Sequence, residues 1–254
     1  PDFGEVYEAL NNMSDELTKL KIDVYEERIK KQKFELEFLR MQIKPHFFLN
    51  CLNIIYSLVN AGRYSLIQTM VVRLSDYFRY IFRTTDSFVN VEKELEHVEN
   101  YLQIQAVRYP DRFTYKIRRD TDTKNIIIPP MMIQTFVENS IKYGFSNPIR
   151  DQLKIGIRVL EEEEIYSITI RDNGKGFPPE VLKKLQEKSS LEDENGNHIG
   201  IQNTLNRLEL LYQNRAIVEF ENEEGAQVHI YLPKHQVKRF YGRYHNFNNA
   251  AGLF

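Results

Sequence analysis

The sequence predicts a multidomain protein: long helices that make half of a four-helix bundle, followed by an α+β sandwich. Two observations predict this. Apolar residues recur at alternating steps of four and three over the first sixty residues, and after Asp111 that spacing gives way to strand-like alternation.

The seam runs through Val6, Leu10, Met13, Leu17, Leu20 and Val24, and resumes at Phe34, Phe38, Met41, Pro45, Phe48, Leu52, Ile55 and Val59; only Glu27 and Lys31 break it. One apolar stripe on so long a helix calls for a partner helix, so a coiled coil and a homodimer are expected. His46 falls one residue past a seam position, on the outer flank, with Asn50 four residues further along the same flank. Pro45 stands beside this histidine, inside a helical pattern, where proline costs roughly 3 kcal/mol.

"NAGRYS" reads as a turn with Gly62 as the helix stop. A second helix follows through Leu66, Met70, Leu74, Phe78 and Ile81, and "TTDSFVN" ends it. A third helix spans 91–109, with Asn90 as its N-cap. "RFTYKIRR" then alternates as a strand. "PPMMIQTFVENSIKYG" reads as a helix opened by proline at its first turn and closed by Gly144. Two strands, "LKIGIRVL" and "EIYSITIRD", flank an acidic turn. The loop "DNGKGFP", a short helix, a polar segment, a helix from Gly200 and a final hairpin complete the chain.

The 254 residues are 42% hydrophobic and 28% charged, as in folded soluble proteins. A net charge of −2 offers no global reason to bind nucleic acid or an anionic membrane. The lone cysteine, Cys51, precludes an internal disulfide. No apolar run approaches the ~20 residues of a membrane span. Because the chain opens on Pro1 rather than methionine, it is expected to be part of a longer protein with membrane segments upstream.

Three stretches carry chemistry. In "RDNGKGF" the Asp172 carboxylate can accept a hydrogen bond from a purine amino group, while Gly174 and Gly176 let the backbone approach a ligand. The same letters also suit a plain hairpin turn. In "FVENSIKYG" a helix gathers Glu138, Asn139, Lys142 and Tyr143; Asn139 offers a neutral oxygen for Mg²⁺ and Lys142 a charge for phosphate, or these are simply a polar helix face. In "NHIGIQN" Gly200 opens a helix, and helix N-termini attract phosphate.

In this order the three stretches resemble the nucleotide-binding fold shared by gyrase-type ATPases, Hsp90, mismatch-repair ATPases and histidine kinases, over about 111–233. Upstream, "LRMQIKPHFFLNCLNIIYSL" resembles the phosphoacceptor box of LytS/YesM-type sensor histidine kinases, and "LSDYFRYIFR" and "VEKELEHVENYLQIQAVRY" match that subfamily in order. "PDFGEVYEALNNMSDELTKL" resembles the last helix of a HAMP module. The chain departs from the family pattern at Lys44, Tyr143 and His198, and no acidic residue follows His46.

The resemblance implies a layout of 1–20 as the end of a HAMP-like helix and 21–43 as a coiled-coil signalling helix. Residues 44–110 become dimerisation and phosphoacceptor helices, 111–233 an ATP-binding domain and 234–254 a tail. It implies the cytoplasmic portion of a bacterial membrane receptor. ATP-Mg²⁺ would phosphorylate His46, which Pro45 exposes by loosening the helix, and the phosphoryl group would pass to a response-regulator aspartate. Asp172 would read adenine and Asn139 hold Mg²⁺; Lys142, Tyr143 and the Gly200 helix start would position ribose and phosphates under a lid at 189–199. Glu138 would orient His46 or a water, and Asn50 a water for phosphatase activity. Two other readings stay open: a degenerate nucleotide-binding dimeric relay, and a free-standing gyrase/Hsp90-like ATPase.

Overall fold

The computed structural model describes residues 45–84, 88–145, 152–189 and 199–234, with Met13, Glu16, Lys19 and Lys21 helical before them. Most of the seam upstream of Pro45, the expected lid and the tail lie outside the described residues. The chain divides into two compact units, 1–57 and 58–254.

In the first unit the described part is chiefly helix α1 (Pro45–Asn60), which continues into the second unit. Pro45 is its first residue, where a missing N–H leaves no intrahelical bond unmade. The loosening expected ahead of it falls outside the described residues. The seam residues Phe48 and Leu52 are exposed, at 40% and 43%.

In the second unit α1 ends in a turn with Gly62 at φ +65°, a conformation glycine takes without penalty. Helix α2 (Tyr64–Arg83) follows. Strand β1 (Val89–Asn90) leads into helix α3 (Val91–Arg108), and Asn90 caps it as expected, accepting from Lys93 N at 2.9 Å. Helices α2 and α3 run antiparallel. Arg73 bonds Asn100 at 3.1 Å, Tyr77 stacks on His97, and Tyr80 bonds Glu94 at 2.6 Å, so rising numbers on one helix meet falling numbers on the other.

Strand β2 (Phe113–Arg119) and the short β3 (Ile127–Ile128) precede helix α4 (Met132–Gly144). Pro129 and Pro130 do not open α4 as the sequence suggested. They lie buried just before its cap, Met131, whose φ of +65° turns the chain into the helix. Strands β4 (Leu153–Glu161) and β5 (Ile165–Asp172), helices α5 (Pro179–Gln186) and α6 (Ile199–Tyr212), and strands β6 (Ile217–Asn222) and β7 (Ala226–Pro233) complete the unit.

The five-stranded sheet has the order β2-β4-β5-β7-β6, with β2 parallel to β4 and the other pairs antiparallel. Register sets Ile168 opposite both Val159 and Ile230, and Ile170 opposite both Ile157 and Val228. These six residues are buried, while Lys154 and Arg158 alternate outward. Met132, Ile133, Phe136 and Val137 of α4 and Ile201, Leu208 and Tyr212 of α6 are the buried helix residues above them. The result is the α+β sandwich that the alternation predicted. Among the described residues no helix is long and apolar enough to cross a membrane.

Candidate functional site

Asp172 ends β5 at the centre of the sheet and is buried. Its Oδ1 accepts from Gly174 N at 2.8 Å and Ala226 N at 3.2 Å, and its Oδ2 accepts from the Ser140 hydroxyl at 2.6 Å. A carboxylate has about four lone-pair positions. Three are taken, so Oδ2 keeps one for an outside donor such as an exocyclic amino group.

The loop after Asp172 is braced throughout. Asn173 accepts from Lys154 N at 2.7 Å and donates to Gln152 O at 3.0 Å. Asn222 accepts from Phe177 N at 2.7 Å and donates to Phe177 O at 2.8 Å. The stretch is no hairpin turn, since β5 pairs with β4 and β7, and α5 follows the loop.

The two glycines lie close against neighbouring protein atoms. A Cβ on Gly174 would come within 2.8 Å of Gly144 Cα, and one on Gly176 within 2.5 Å of Asn222 Oδ1. Their missing side chains make room for Gly144 and Asn222. Gly225, absent from the sequence reading, is tighter still: a Cβ there would press on the Asp172 carbonyl and lie 2.7 Å from Gly174 N.

Helix α4 carries Glu138, Asn139, Lys142 and Tyr143. Glu138 accepts from Gln134 at 3.0 Å on its own helix. Asn139 donates through Nδ2 to Thr135 O at 2.9 Å, a bond that does not use its Oδ1. Lys142 Nζ lies 4.8 Å from the exposed Tyr143 ring. Thr204 of α6 bonds Thr135 at 3.3 Å, so the helix opened by the exposed Gly200 is tied to the helix bearing Asn139.

Among the described residues no group of three or more His, Cys, Asp and Glu gathers for a metal. Mg²⁺ bound with substrate phosphates keeps several waters and needs only one or two protein oxygens. Asn139 Oδ1 fits that role.

His46 sits in the first turn of α1, and its side chain lies outside the described residues. Asn50 is one turn further on the same helix, half-buried. Ser140 was missed although it lies inside the quoted "FVENSIKYG"; its neighbours at Asn139 and Lys142 drew the chemistry.

This arrangement has known counterparts. Residues 34–113 match the histidine kinase family, and 129–236 match the family of histidine kinase-, DNA gyrase B- and HSP90-like ATPases. The chain belongs to the histidine kinases. Within them it is similar to the sensor protein LytS of Staphylococcus haemolyticus, 34% identical over 80% of this chain and 35% of that one. The sensor histidine kinase/phosphatase LytS of Staphylococcus aureus is 32% identical over 76% of this chain and 33% of that one. The chain thus spans about a third of the length of the curated relatives it matches. A solved catalytic domain of the histidine kinase ThkA superposes with a TM-score of 0.44 at 14% identity, covering 58% of this chain and 94% of that one.

Proposed function

We propose that this chain is the ATP-dependent kinase portion of a two-component sensor, phosphorylating His46 and handing the phosphoryl group to an aspartate of a response regulator. The observation that carries this reading is the Asp172 carboxylate. It is buried, held by three donors, and keeps one lone pair on Oδ2. That pattern suits the amino group of adenine. Asn139 Oδ1 would hold Mg²⁺, which when bound would supply charge neutralisation to the phosphates. Lys142, Tyr143 and the Gly200 helix start contact ribose and phosphates.

Transfer forms a bond between an imidazole nitrogen of His46 and the γ-phosphorus, and breaks the bond from that phosphorus to the β,γ-bridging oxygen. ADP leaves with the electron pair. The unprotonated nitrogen of neutral imidazole attacks directly, so no base has to remove a proton first, in keeping with the lack of an acidic residue after His46. Catalysis is then positioning and charge stabilisation. Glu138, bound to Gln134, orients rather than abstracts. The exposed apolar residues Phe48, Leu52 and Val59 support a homodimer through α1. A HAMP-like start at 1–20, a coiled coil at 21–43 and a membrane receptor upstream complete the proposal.

The test is phosphoryl transfer from γ-labelled ATP with Mg²⁺ to the protein, to His46→Gln and to Asn139→Ala. Acid-labile label on the wild type, absent from both variants, is expected. ATP binding without label overturns the kinase reading in favour of a degenerate relay, and steady hydrolysis without label in favour of a free-standing ATPase.

A phosphatase role for Asn50 is supported by its place one turn after His46 on α1, and the Staphylococcus aureus relative is named a kinase/phosphatase. Asn50→Ala should retain autokinase activity and lose phosphatase activity toward the phosphorylated regulator; unchanged phosphatase activity would sink this role.

A further inference from the structure

Helix α4 lacks a cap of its own. Its N-cap residue is Met131, which offers no side-chain hydrogen bond, and its first turn holds no acidic residue. The free N–H groups of a helix start need acceptors. Glu94, on α3, supplies them: Oε2 accepts from Met131 N at 3.0 Å and Oε1 from Gln134 N at 3.3 Å. A carboxylate there also meets the positive end of the helix dipole.

Glu94 is completely buried, and burial pushes its carboxyl pKa up. The Tyr80 hydroxyl, the two backbone N–H groups and the charge of Arg207 act the other way. A buried carboxylate stays bearable only when its oxygens are satisfied. All three of its bonded partners donate: Tyr80 Oη sits 2.6 Å from Oε2, on the same oxygen that caps Met131. Two of these donors belong to the start of α4, Gln134 within the helix and Met131 as its cap. The third belongs to α2, whose Tyr80 ring also stacks on His97 with centroids 4.0 Å apart.

We propose that Tyr80 and Glu94 form a latch through which helix α2 positions α4 and so the Asn139 oxygen. Tyr80 and Glu94 are positioning residues; neither touches nucleotide. The role at Asn139 rests on the nucleotide reading above. A rotation or slide of α2 withdraws the hydroxyl, leaves Glu94 short of a donor and loosens the cap on the helix that carries the metal-binding oxygen.

Tyr80→Phe removes the hydroxyl and keeps the ring stacked on His97. Glu94→Gln puts an NH₂ donor where an N–H or hydroxyl now donates. Tyr64→Phe, an exposed tyrosine on the same helix, is the control. Two readouts are taken on the full chain: backbone amide exchange over 131–135, and calorimetric affinity for ATP with and without Mg²⁺. In Tyr80→Phe, exchange should quicken about ten-fold, the worth of one charge-assisted hydrogen bond. The Mg²⁺-dependent part of ATP affinity should fall by a similar factor, while Mg²⁺-free affinity changes less than about two-fold. In the Glu94→Gln background Tyr80→Phe should add nothing, because the pair acts as one unit.

Wild-type exchange in Tyr80→Phe overturns the latch, whether or not Glu94→Gln folds well. Quickened exchange with Mg²⁺-dependent affinity unchanged overturns its reach to Asn139. Quickened exchange with no ATP binding by any of the proteins, wild type included, upholds the positioning of α4 and overturns the nucleotide reading instead.

Discussion

Replacing His97 by phenylalanine should remove a defined part of the acid sensitivity of this protein. His97 is 1% exposed, and neither ring nitrogen has a hydrogen-bond partner among the described residues. It lies between Tyr77 and Tyr80 of α2, with centroids 4.7 and 4.0 Å away, and Glu94 and Tyr101 flank it on its own helix. Burial pushes its pKa down from 6.5 to about 3. The folded state therefore resists a proton that the unfolded chain accepts. The stability tied to neutral His97 is complete above the unfolded pKa of about 6.5 and drains away as pH falls toward the folded value of about 3. At pH 5 the unfolded imidazole is almost wholly protonated and the folded one is not, a loss of about 2 kcal/mol relative to pH 7.5. Phenylalanine keeps an aromatic ring between the two tyrosines and cannot titrate. Urea unfolding followed by far-UV circular dichroism suits a chain with no tryptophan. Other histidines and carboxylates contribute equally to both proteins and cancel in the comparison. Between pH 7.5 and pH 5 the wild type should lose about 2 kcal/mol more than His97→Phe. Equal losses would refute a neutral, buried His97.

Asp172→Asn should fold, since an amide oxygen can still accept from Gly174 N and Ala226 N while the Ser140 hydroxyl turns to accept from the new NH₂. Where a lone pair now awaits an amino group it presents a donor, so calorimetry should find ATP binding lost with the thermal midpoint nearly unchanged. Gly225→Ala should do the reverse: its methyl meets the backbone of Asp172 and Gly174, which cannot swing aside. A loss of about 2 kcal/mol or more is expected in urea unfolding, with ATP affinity reduced because the same backbone holds the Asp172 carboxylate.

The helix that carries Asn139 and the strand end that carries Asp172 were legible in the sequence because spacing within short stretches survives folding: a helix keeps Asn139 near Lys142, and a strand end keeps Asp172 beside its glycines. Their supports were not legible. Ser140 reaches Asp172 across 32 positions and Ala226 across 54, and nothing in "NSIKYG" or "EEGAQV" marks them as partners. The protein neighbours of the glycines were not legible either. Only the packed structure shows that Gly144 and Asn222 fill the space above Gly174 and Gly176.

The sequence by itself determined most of the elements, because helix and strand periods, the Asn90 cap and the Gly62 turn are fixed by local chain geometry and each is written within a few residues; the short strands β1 and β3 and the Met131 start of α4 were not among them. It also determined the family, because the His46 box and the three nucleotide stretches come in a fixed order. Tertiary structure decided what holds those stretches in place. Glu94 read as one more acid in "VEKELEHVEN", and it became the cap of α4 only once folding had removed water from both. Desolvation is the reason: a carboxylate left in water is indifferent to a distant helix start, whereas a buried one must find every donor within reach.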